Sequence, residues 1–133
     1  MNEPVSEVAV VLLAHGSSLE SANQSVHALA RLVESQGPYH YVRAAFLDPV
    51  TPTLAQAAAE AVEAGFSRVV IIPYFLTLGL HMQRDLPRLV EAERERFPRV
   101  EFSVGQSLDD HPLLASIVVG RIREATEEAR VER

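Results

Sequence analysis

Val69-Val70-Ile71-Ile72-Pro73-Tyr74-Phe75-Leu76-Thr77-Leu78-Gly79-Leu80-His81 is the stretch whose reading decides the fold. It runs from a block of β-branched residues, through a proline and a glycine, to a histidine. A short apolar run bounded by breakers reads as a strand buried on both faces. A helical pattern starts just beyond, at about Gln83 to Pro87. In an open α/β sheet, ligands bind outside the carboxyl ends of the strands. A histidine placed there can titrate near neutrality and can ligate a metal. A single loop histidine is more often just a solvated side chain. A second strand of the same kind, ending in Ala14-His15-Gly16-Ser17, changes that balance.

Working outward, residues 7–14 (Glu-Val-Ala-Val-Val-Leu-Leu-Ala) form another continuous apolar strand. Gly16 permits a tight turn after it. Ser17 with Glu20 matches a capping box, and Val26, Leu29, Ala30 and Val33 follow at helical spacing. Gly37-Pro38 stops that helix. His27 within it reads as a solvated side chain. Residues 39–47 read as a second strand of mixed polarity, hence an edge. His40 lies at its start, the wrong end for a site, and Asp48 at the right one. Thr51-Pro52 suggests the N-cap and first turn of a second helix, with Leu54, Ala58, Ala61 and Val62 inward. The third strand is Arg68 to about Ile72, and its pairing is expected to fail at Pro73. Asp85, with Pro87 in the first turn, reads as the cap of a third helix whose apolar face is Leu86, Leu89, Val90 and Phe97. The charged run Glu91 to Arg96 reads as a solvated face. Residues 100–104 alternate as an edge strand should. His111-Pro112 opens a fourth helix with Ile117, Val118, Ile122 and Ala125 inward, and a charged tail beyond Glu127 that is expected to fray.

The pattern βαβαβαβα predicts one α/β domain over 1–133, a three-layer αβα sandwich on a parallel sheet. The apolar strands belong at the centre and the mixed ones at the edges, which gives the order 2-1-3-4. The switch point then falls between strands one and three, where His15 and His81 follow the strand ends. The two imidazoles are therefore predicted to share one crevice.

Composition narrows the chemistry. The chain has 133 residues, 47% of them hydrophobic, and a net charge of −6. That suits one domain with one core and argues against a nucleic-acid or anionic-membrane surface. All twelve basic residues are arginine, so lysine Schiff-base and P-loop chemistry are out. Cysteine is absent, which removes thiolate catalysis, disulfides and Cys-ligated metals and fits a cytoplasmic protein. Met1 to Glu7 has no basic leader region, and no apolar run approaches the roughly 18 residues of a membrane span. Two imidazoles without thiolates suit Co, Ni, Fe, Cu or Zn in an open site. Asp48 can add a carboxylate at the edge of the crevice. The apolar, glycine-containing segment Leu76-Thr77-Leu78-Gly79-Leu80 can lie against a flat ligand.

Leu13-Ala14-His15-Gly16-Ser17, Pro73-Tyr74-Phe75-Leu76, Gly79-Leu80-His81 with Asp85-Leu86-Pro87, and the segment Gly105 to Pro112 together resemble the small class II tetrapyrrole chelatases, the short sirohydrochlorin cobaltochelatase and ferrochelatase type. The resemblance covers nearly the whole chain. It implies insertion of a divalent metal (Co2+, Ni2+ or Fe2+) into sirohydrochlorin or a related tetrapyrrole, with release of two protons. The metal is a substrate, and no permanently bound cofactor is implied. His15 would accept a proton and ligate metal, His81 would be the second ligand, and Leu76 to His81 would line the macrocycle site. The family often has Glu where this chain has Asp48, one methylene shorter. Longer members carry two such halves, so a homodimer is implied here. The product would serve cobalamin, siroheme or a nickel cofactor. A poor pyrrole N–H acid needs a base within hydrogen-bond reach, and a neutral imidazole is compatible with a nearby cation. The many substrate carboxylates require local arginines or helix N-termini, and Arg84 and Arg88 are candidates by position. A non-catalytic metal or tetrapyrrole carrier on the same fold is the alternative. Histidine phosphatases share a His-Gly echo, but Ala14 stands where they need arginine.

Overall fold

The computed structural model describes residues 7–132; Met1–Ser6, including most of the stretch read as lacking a leader, and Arg133 lie outside it. The elements alternate as the sequence predicts: β1 (Val8–Ala14), α1 (Glu20–Gln36), β2 (Val42–Phe46), α2 (Leu54–Glu63), β3 (Arg68–Pro73), α3 (Leu80–Arg96), β4 (Glu101–Val104) and α4 (Leu113–Glu132). The four strands pair in parallel in the order β2-β1-β3-β4. Strand side chains alternate between two faces. Ala9, Val11, Leu13, Val69 and Ile71 turn toward α2 and α3 and bury Ala58, Ala61, Leu86 and Val90. Val10, Leu12, Ala44 and Phe46 turn the other way, toward Val26 and Ala30 of α1.

Several local expectations shift, each for a physical reason. Pairing does not fail at Pro73, which aligns with Leu13, and Tyr74 N donates to Leu13 O at 2.7 Å. Successive β3 residues bond to opposite neighbours. Ile71 O accepts from Gly105 N, so Pro73 faces past the end of β4, where a missing N–H costs nothing. Helix α2 starts later than Thr51-Pro52 because Phe46 N donates to Pro52 O and holds that segment beside β2. The cap is Thr53, whose hydroxyl accepts from Gln56 N while Gln56 Oε1 accepts from Thr53 N. Helix α3 begins at Leu80 behind Gly79, not at Asp85, and Pro87 lies inside it. The run Glu91 to Arg96 is not wholly solvated. Glu93 comes one turn after Val90, is buried, and accepts from Arg96 Nη1 at 2.7 Å.

The second face of the sheet is only half covered. Strand β1 is buried throughout, but β3 alternates: Val69 and Ile71 are buried while Val70 and Ile72 are half-exposed. The reason is α4. Ile117, Val118 and Ile122, expected to face inward, are 56%, 56% and 58% exposed, and none of the described α4 side chains is buried.

Glu34, near the end of α1, closes the α1–β2 connection by accepting from Val42 N and from Arg43 Nη1, each at 3.0 Å. The Val42 amide, helped by Arg43, holds its carboxyl below the usual glutamate value against partial burial. A lowered carboxylate stabilises the fold above its unfolded pKa and loses that contribution as pH falls through the folded one. The stability gap between wild type and Glu34→Gln is therefore expected to shrink below about pH 4, measured by urea denaturation across pH.

Candidate functional site

His15 follows the last residue of β1, is exposed, and sets its ring edge-on to Phe75 with centroids 6.1 Å apart and planes at 79°. Phe75 lies just beyond β3, so this contact ties the β1 exit to the β3 exit at the switch point. His81 is exposed in the first turn of α3 rather than in a loop, because the helix starts before it. Between them, Leu76 and Leu80 are 65% and 63% exposed, and Thr77 and Gly79 are exposed too. Only Leu78 of this loop is half-buried, and its carbonyl accepts from Gln83 Nε2 at 3.0 Å. Two leucines standing in water beside a histidine are an apolar surface that a flat ligand can cover. Open space stands where a Gly79 Cβ would be, so the backbone there is bare.

The turn carrying His15 is built tightly. Gly16 has φ +87, and a Cβ on it would lie 2.9 Å from Val50 Cβ and Cγ2. Ser17 does not form the expected capping box. Its hydroxyl accepts from Leu19 N at 3.0 Å, and Leu19 caps α1 without a side-chain bond. The anchor is Asn23, which the sequence reading missed. It is buried, its Oδ1 accepts from Ser17 N at 2.9 Å, and its Nδ2 donates to Ser17 O at 2.8 Å. A polar side chain on the α1 face shared with Val26 and Ala30 was the available signal. Asn23→Leu leaves both Ser17 groups unpaired and is expected to cost on the order of 1–3 kcal/mol, read by thermal or urea unfolding.

Asp48 is exposed, just beyond the end of β2. It shares a groove of about 450 Å³ with Met82, Asp85, Arg88 and Leu89, on the side of the sheet that α3 covers. Arg84 is exposed as well. His27 is half-buried, not solvated, and packs edge-on to Phe46 at 5.3 Å. Among the described residues no group of three His, Cys, Asp or Glu side chains is arranged to hold a metal. No helix among the described residues is long and apolar enough to cross a membrane.

A parallel sheet ordered β2-β1-β3-β4 between helices is the fold of the chelatase-like α/β domains. The CbiX family model matches residues 9–125, and the chain belongs to that family. A sirohydrochlorin cobaltochelatase of Methanopyrus kandleri is 33% identical over 91% of this chain and 99% of its own length. A sirohydrochlorin ferrochelatase of Priestia megaterium is 31% identical over 87% of this chain, which spans 44% of that longer protein. The fold matches a CbiX protein from Marinobacter aquaeolei with TM-score 0.81 and 24% identity, over 92% of this chain and 98% of the other. It also matches the sirohydrochlorin chelatase SirB of Bacillus subtilis subspecies spizizenii in complex with cobalt, with TM-score 0.81 and 20% identity, over 88% of this chain and 50% of the other.

Proposed function

We propose that this chain is a lyase that inserts a divalent metal into sirohydrochlorin or a closely related tetrapyrrole. The observation that carries the reading is the end-to-end similarity to the Methanopyrus cobaltochelatase. Cobalt is the first candidate among Co2+, Fe2+ and Ni2+. The metal exchanges for two pyrrole protons, so the product carries the metal and two protons are released. His15 accepts a proton from the ring and ligates the incoming metal, and His81 is the second ligand. Leu76, Thr77, Leu78, Gly79 and Leu80 form the surface under the macrocycle. The exposed leucines and the contact of His15 with Phe75 support this assignment. Asp48 contributes only at the margin, since it opens into the α3-side groove. The working unit is a homodimer.

Neutral imidazoles suit both steps. They bind a borderline cation, and they accept a proton without leaving a second charge beside the metal once that proton passes to water. Two ligands hold metal loosely enough to surrender it to four ring nitrogens. Metal-free protein mixed with sirohydrochlorin and cobalt is expected to convert many equivalents of tetrapyrrole, followed by visible absorbance, faster than the uncatalysed mixture. Saturation at one equivalent per chain, with no rate above background, would instead establish a carrier.

A further inference from the structure

Neither ring nitrogen of His15 is hydrogen-bonded to a described residue; the imidazole instead meets the ring of Phe75 edge-on. A histidine that ligates metal ordinarily donates its second nitrogen to a carboxylate or carbonyl, which fixes the ring. An exposed imidazole without such a partner turns among its rotamers unless another contact limits it. Centroids 6.1 Å apart with planes at 79° lie within the T-shaped geometry that aromatic pairs prefer.

Phe75 is itself held. Its side chain is buried. The amide of Tyr74, just before it, donates to Leu13 O at 2.7 Å, and its own carbonyl accepts from Leu108 N at 3.2 Å. Leu13 lies two residues before His15, so both rings are carried outward from one inter-strand hydrogen bond. Leu76 and Leu80 offer their surface to water and so to a flat ligand, whereas Phe75 has almost none to offer. Its use to the site is therefore through the imidazole.

We propose that Phe75 is a positioning residue: it holds the His15 ring at the angle from which a nitrogen reaches the centre of the macrocycle. An apolar contact does this without occupying either nitrogen, so both stay open to the metal and the pyrrole proton. The proposal rests on the role given to His15 in the metallation. Without the Phe75 ring, His15 spends less time in the productive orientation, which lowers kcat and leaves the binding of sirohydrochlorin unchanged.

Steady-state rates at saturating cobalt test it. Phe75→Leu is expected to lower kcat by about 3- to 10-fold, the worth of one aromatic contact, with KM for sirohydrochlorin near that of wild type. Phe75→Tyr keeps the ring and is expected to recover most of the rate. Phe102→Leu makes the same change at a buried residue of β4 and is expected to keep the wild-type kcat. A second measurement needs neither metal nor tetrapyrrole. Nuclear Overhauser cross-peaks between the His15 and Phe75 rings are expected in wild type. Phe75→Leu is expected to shift the His15 ring signals while those of His27 and His81 stay in place. Wild-type kcat in Phe75→Leu overturns the proposal, and so does an equal loss in Phe102→Leu, which would make the effect one of core packing. A loss confined to KM would make Phe75 a substrate contact and overturns it as well. So does the absence of cross-peaks between the two rings. A wild type without turnover would overturn the chelatase reading instead, and the spectra then decide the contact alone.

Discussion

With cobalt saturating, His15→Ala is expected to metallate sirohydrochlorin slower by about 10²-fold or more, the usual effect of removing a general base. The ring stands exposed at the switch point and rests on Phe75 without being enclosed, so the loss is chemical rather than structural. The unfolding midpoint is expected to stay near that of wild type. His81→Ala is expected to behave differently. If its role is ligation, the defect appears at low cobalt and is partly rescued by excess metal. Both roles require a neutral imidazole, so turnover falls on acidification. The part of that fall surviving at saturating metal reports the base. A His15→Ala enzyme returned to wild-type turnover by added cobalt would show that His15 only holds metal and that water or a substrate carboxylate takes the proton.

Gly16→Ala is expected to be the most damaging single-methyl change near the site. At φ +87 a side chain is strained whatever the space, and here the new carbon would meet Val50 Cβ and Cγ2 at 2.9 Å and Phe46 Cβ at 3.2 Å. Strain at such a residue costs on the order of 1–3 kcal/mol. Relief requires the turn to move, and His15 moves with it. A displacement of about 1 Å at a reacting group lowers turnover by as much as about 10²-fold. Stability and metallation rate should therefore drop together. Val50→Gly removes both of the closest contacting atoms, so the double variant is expected to recover part of the loss, with the strain of the turn remaining. A Gly16→Ala protein with wild-type rate and stability would show that the turn yields without carrying His15 along.

The order of the strands was legible in the chain because it depends on polarity alone. The unbroken apolar run of β1 can only be central, and the mixed Val42-Arg43-Ala44-Ala45-Phe46 only an edge. His15 and His81 were likewise legible, since their offset from the ends of two apolar strands needs no side-chain geometry. Helix starts were less so. Ser17 and Thr51 both have the chemistry of a cap, yet Asn23 engages the first and the Phe46–Pro52 hydrogen bond keeps the second outside its helix. A cap competes with every other partner for the same groups, and here each competing bond spans six residues, outside the three-residue spacing of a capping box.

What the sequence by itself determined is the alternation of elements, the sheet order, and the two histidines at its carboxyl end, all consequences of periodicity and topology. The tertiary structure alone decided where apolar faces find cover. Ile117, Val118 and Ile122 carry the pattern of an inward face, and Val70 and Ile72 that of a buried strand, yet within one chain neither surface meets the other. Hydrophobic periodicity specifies that a face must leave water, but it holds no information on whether the surface that receives it belongs to the same chain.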